Sequence, residues 1–162
     1  MAGKHFNRPA TIRRRMAGVM LLEALIAILI FSIGILGIVG LQATAVQQST
    51  DAKNRAEAAY LADQIIGQMW ASDRVAGTMK AQYDSDFCGA GGCPAYVTWA
   101  NSVKTTLPGV SLTTDTKPSV DVQDSGSTPG MITISIFWRA PSDDPSSPTT
   151  RHRYDVQAQI GQ

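Results

Sequence analysis

Apolar residues run almost without interruption from Val19 to Leu41, broken by a single carboxylate at Glu23. As a helix these 23 residues would extend about 34 Å, enough to cross a hydrocarbon core of about 30 Å. A charge inside such a run is expensive in a bilayer, so Glu23 needs a partner or a purpose. Beyond Gln42 the pattern loosens but does not break. No proline occurs up to Trp70, and Ala52, Ala56, Ala59, Leu61, Ile65, Ile66, Met69 and Trp70 recur mostly at threes and fours. That spacing predicts one buried stripe of an amphipathic helix, with Arg55, Glu57, Gln64 and Gln68 on other faces. The two halves read as one helix from about Val19 to Ser72, roughly 80 Å long. Two helices meeting near Gln42 are the alternative.

After Ser72 the texture changes. Residues 76–92 hold Gly77, Gly89, Gly91 and Gly92 among polar residues and read as a loop. Pro94 suits the first position of a short helix, along which Tyr96, Trp99 and Val103 share one face; Leu107-Pro108-Gly109 ends it. From there the period switches to two. Val110 and Leu112 alternate with polar neighbours, as do Val120 and Val122, then Ile132 to Trp138, then Tyr154, Val156, Ala158 and Ile160. Turn-rich separators lie at Lys117-Pro118, at 126–130 and at 141–148. The expected fold class is therefore α+β: a long N-terminal helix, with a membrane half and an amphipathic half, packed on a small antiparallel meander of four short strands. The expected segments are 1–18, 19–41, 42–72 and a globular head over 73–162.

The residues ahead of the apolar run sharpen its meaning. Lys4, Arg8, Arg13, Arg14 and Arg15 precede it with no acid among them, which favours a cytoplasmic N-terminus and translocation of the rest. Three readings compete for this segment. One is a plain signal anchor with Glu23 at the interface. Another is a signal peptide cut after Ala43-Thr44-Ala45, although an apolar region of this length exceeds the usual 7–15 or so residues. The third rests on Gly18 at the border of charge and apolar chain, with the acid five residues later. Basic leader, glycine, apolar run and that acid together resemble the processing site of a type IV prepilin.

The resemblance assigns roles. Gly18 would end a leader peptide read by a prepilin peptidase, and Val19 would become the N-methylated N-terminus of the mature chain. Val19 departs from the phenylalanine more often found there. Glu23 would be the assembly carboxylate, stabilised in low dielectric by the N-terminal ammonium of a neighbouring subunit. Further along, LLEALIAILIFSIGILGIVGLQ, AAYLADQI, the cysteine pair before a Trp-bearing helix, TLPG and ITISIFW resemble the minor-pilin family of type IV pilus modification proteins, PilV. This resemblance implies a single-pass inner-membrane subunit with a periplasmic head that later enters the extracellular pilus and helps prime or initiate its assembly. Its implied partners are prepilin peptidase, the major pilin, other minor pilins, the inner-membrane assembly machinery and membrane lipid. A minor pseudopilin of a type II secretion system has the same leader and helix. A binding subunit for adhesion or DNA uptake is an alternative of another class.

Charge and cysteines narrow the choice. The chain carries 14 basic and 13 acidic residues; without the first 18 residues the balance becomes nine against thirteen, a formal −4. Nucleic acid is therefore not expected as the main partner, and Arg151, His152 and Arg153 read as a solvated strand face. Cys88 and Cys93 fall in the segment expected to be translocated, where a disulfide is expected and a pair of free thiols is the alternative. They flank a glycine-rich stretch that lets the sulfurs meet. One histidine outside the leader is too few for a zinc site, so no metal or other cofactor is expected. Gly34, Gly37 and Gly40 allow close helix packing or local unwinding. The acid pairs Asp84/Asp86 and Asp143/Asp144 read as exposed loops, and no catalytic constellation is present, so the expectation is a protein that is not an enzyme.

Overall fold

The computed structural model describes residues 16–73, 75–87, 92–125, 128–144 and 147–160. Helix α1 spans Met16–Ala71, 56 residues with no break at Gln42. It is followed by α2 (Ala76–Tyr83), α3 (Pro94–Thr106), β1 (Ser119–Ser125), β2 (Thr128–Trp138), a single 3-10 turn (Pro148–Thr150) and β3 (His152–Gln159). The chain divides into two units, Met1–Gln48 and Ser49–Gln162.

The first unit is all helix over its described residues, and every described side chain from Gly18 to Gln48 is exposed. Its large apolar side chains lie between 46 % and 73 % exposed, the values at Ile35 and Leu41. The hydroxyls in this stretch bond back onto the helix: Ser32 Oγ donates to Ile28 O at 2.7 Å and Thr44 Oγ1 to Gly40 O at 3.2 Å. Such back-bonding satisfies a hydroxyl without water, as a membrane helix requires.

The second unit has its own core. The inward stripe of α1 consists of Asn54, Ala58, Leu61, Ala62, Ile65 and Met69. This corrects the phase expected from the sequence, because Ala52 and Ala56 are exposed and Trp70 is half exposed. At 100° per residue Ala56 lies half a turn from Ile65, so the large side chains set the phase and the alanines follow. Sheet order is β1-β2-β3, antiparallel throughout. The pairs Val120↔Ile134, Val122↔Ile132, Ile134↔Val156 and Ile136↔Tyr154 hold one apolar face in register. Val120, Val122, Ile132, Ile134, Ile136 and Trp138 are fully or almost fully buried there. Helix α3 closes the core with Tyr96, Trp99 and Val103, and Trp99 Nε1 donates to Leu61 O at 2.8 Å.

Two expectations need correction. The first is the number of strands, which is three rather than four among the described residues. Segment 110–113 is irregular, because Ser111 N donates to Thr116 Oγ1 at 2.9 Å and a local side-chain acceptor replaces a ladder partner. Just before this segment, Pro108 O takes a hydrogen bond from Arg139 N beyond the end of β2. The second is the loop read over 76–92, whose first part forms α2 with Ala76, Met79 and Tyr83 buried. Those three residues have helical spacing, but Gly77 and the polar neighbours mask it.

Candidate functional site

The site most strongly marked in the sequence lies on the first unit. Gly18, Val19 and Glu23 all sit within α1, and all three are exposed. Val19 and Glu23 are four residues apart, so they occupy one face of the helix, one turn from each other. Among the described residues Glu23 makes no hydrogen bond or ion pair, and the apolar side chains around it are exposed. The helix is long and apolar enough to cross a membrane and lies near the N-terminus, which is compatible with a single-pass membrane protein. At Gly34, Gly37 and Gly40 an added Cβ would meet open space, so nothing among the described residues calls for glycine there.

In the head, Cys93 is fully buried at the start of α3 and is disulfide-bonded. Cys88 lies outside the described residues. The acid pairs are not simple exposed loops. Asp84 is buried, and its carboxylate accepts hydrogen bonds from the backbone N–H of Asp86 at 2.9 Å, Phe87 at 3.1 Å and Val122 at 3.2 Å. Asp143 is tied to Ala140 N at 2.6 Å. Sequence reading missed Asp84 because Val122, its distant partner, comes 38 residues later.

The basic cluster at the start of β3 is paired with acids, not displayed as a positive patch. His152 stacks on Trp138 at 5.5 Å between ring centroids, with Asp51 3.4 Å from Nδ1 and Asp143 3.3 Å from Nε2. Arg151 lies over Phe137 and donates to Asp115 O. Arg139 holds Asp115 with two hydrogen bonds, 3.1 and 2.6 Å, which keep that carboxyl below the usual carboxylate range. Burial pushes the Asp155 carboxyl up, but hydrogen bonds from Arg153 and Ser135, each 2.6 Å, outweigh it and leave it lowered. Tyr96 donates to Pro118 O at 2.7 Å; burial, then the Asp86 charge, pushes its hydroxyl up to about 12.

Among the described residues no group of three His, Cys, Asp or Glu is arranged to hold a metal ion. No protein-family model matches the chain, and no curated protein or solved structure matches it significantly.

Proposed function

We propose that this chain is a minor pilin subunit of a type IV pilus, cut between Gly18 and Val19 and carried in the inner membrane before assembly. The observation that carries this reading is the α1 segment itself: an exposed apolar helix with one carboxylate a turn beyond Val19 and a glycine directly before it. In this reading cleavage creates an ammonium at Val19. In low dielectric a carboxylate and an ammonium each pay a desolvation penalty that close pairing offsets. A membrane-embedded Glu23 would therefore select a register in which it meets the N-terminus of the next subunit. The exposed glycines would let a second helix approach closely. The head then serves as the cargo of the helix, with its Arg139, Arg151, His152 and Arg153 side chains engaged by Asp115, Asp155, Asp51 and Asp143, which does not favour a DNA-binding role for that face.

Two measurements test this reading. N-terminal sequencing and intact mass of the protein from its native membrane should show a start at Val19, with the increment of one methyl group if the amine is modified. A start at Val46 or an intact Met1 would overturn it. Glu23→Ala should leave cleavage unchanged and reduce incorporation into filaments by about tenfold or more, the loss of one good ion pair in low dielectric. Normal piliation by that variant would count against the proposed role of the carboxylate.

A further inference from the structure

The outer edge of β1 is covered by a neighbouring segment. Beside β1 runs a short irregular strap, residues 84–87, that leads out of α2. Ser85 N donates to Val120 O at 2.8 Å, and Ser85 Oγ donates to the same carbonyl at 3.1 Å. Val120 N reaches Ser85 Oγ at 3.3 Å, and Val122 N reaches Asp84 Oδ2 at 3.2 Å. Lys117 Nζ adds a bond to Ser85 O at 3.4 Å. Two residues thus satisfy the outward amides of Val120 and Val122 and the carbonyl of Val120, groups that would otherwise form an open pairing edge.

The strap has little apolar grip of its own. Asp84 and Ser85 are buried, but Asp86 is exposed and Phe87 is 58 % exposed. Its firm neighbour is Cys93, fully buried and disulfide-bonded, whose Sγ lies 3.2 Å from Asp84 O. Cys93 in turn stands at the foot of α3, which Trp99 and Val103 fix in the core.

We propose that this arrangement is a redox latch: the disulfide at Cys93 keeps the strap on β1, and its reduction releases the strap and uncovers the β1 edge. The step needs a dithiol reductant. Two electrons and two protons convert the disulfide to two thiols while the dithiol closes to its own disulfide. Without the covalent closure the strap regains conformational freedom. Its bonds to β1, three of which use side-chain oxygens, then give way to water. The freed amides of Val120 and Val122 become available to another strand. This latch is independent of the N-terminal segment, so it stands whether or not the assembly role of Glu23 does.

Hydrogen exchange on the full chain in detergent micelles tests the latch, with the oxidised protein compared to protein reduced by dithiothreitol and alkylated. Reduction should speed exchange at Val120 and Val122 by about tenfold or more, while paired amides of β2 and β3 change by less than about twofold, the signature of local opening. Unchanged protection at Val120 and Val122 overturns the latch. So does an equal loss across β2 and β3, because the disulfide would then hold the whole head. Oxidised Asp84→Ala should expose Val122 with the disulfide intact, and the milder Ser85→Ala should expose Val120. If both amides stay protected in these variants, the strap is not what guards the edge.

Discussion

Single residues in the head carry pH dependence whose sign follows from their surroundings. The lowered carboxyls of Asp155 and Asp115 contribute stability above the ordinary carboxylate value of about 3.9, lost as pH falls through their lower folded values. Tyr96 acts at the other end. Its hydroxyl is held protonated up to about 12, so its contribution is whole below the unfolded value of about 10 and is lost as pH rises through the folded one. Thermal melts across pH should therefore show that Asp155→Asn flattens the acid limb and Tyr96→Phe flattens the limb between about pH 10 and 12. An alkaline limb left unchanged by Tyr96→Phe would show that burial of that hydroxyl is not linked to folding. None of these effects is legible in the sequence, because Ser135 and Asp155 are 20 residues apart and Tyr96 and Pro118 are 22 apart.

At the scale of elements, local patterns predicted more than they missed. Pro94 opens α3, and the face of Tyr96, Trp99 and Val103 is buried as its spacing implies. The alternation from Ile132 to Trp138 and along β3 becomes a sheet with one apolar face, and β3 alternates between half-buried and exposed positions along its whole length. The segment at 110–113 failed because alternation is necessary for a strand but pairing decides it, and here Pro108-Gly109 turns the chain across the end of β2. Gly109 has a φ of +65°, and a Cβ there would lie 2.9 Å from Arg139 Cβ and 3.0 Å from Arg139 O. Both the left-handed backbone and the close backbone approach demand glycine. Gly109→Ala should lower stability by about 1–3 kcal/mol, read as a shift in the urea midpoint with an unchanged slope. A midpoint within error of the parent would mean the turn can relax.

For the whole molecule, the division at Gln48 and Ser49 separates two kinds of physics. Among the described residues the first unit exposes its large apolar side chains, while the second buries a core of 21 apolar residues drawn from three helices, two strands and the segments that flank them. A fragment beginning at Ser49 should therefore stay soluble without detergent and melt cooperatively, whereas the full chain should need a bilayer or micelle to remain dispersed. Aggregation of the fragment with no cooperative melt would show that the head depends on residues before Ser49.

The sequence by itself determined the long apolar helix, the glycine and carboxylate at its start, the proline-led helix and the alternating strands, because periodicity and turn chemistry act within a few residues. Tertiary structure alone decided which stripe of α1 faces inward, that Asp84 is buried, that α2 exists, that three strands pair, and that His152 sits between two carboxylates. Each of those depends on partners brought together from distant parts of the chain, such as Val122 and Asp84 across 38 residues. A pattern in one segment cannot encode the burial that another segment supplies.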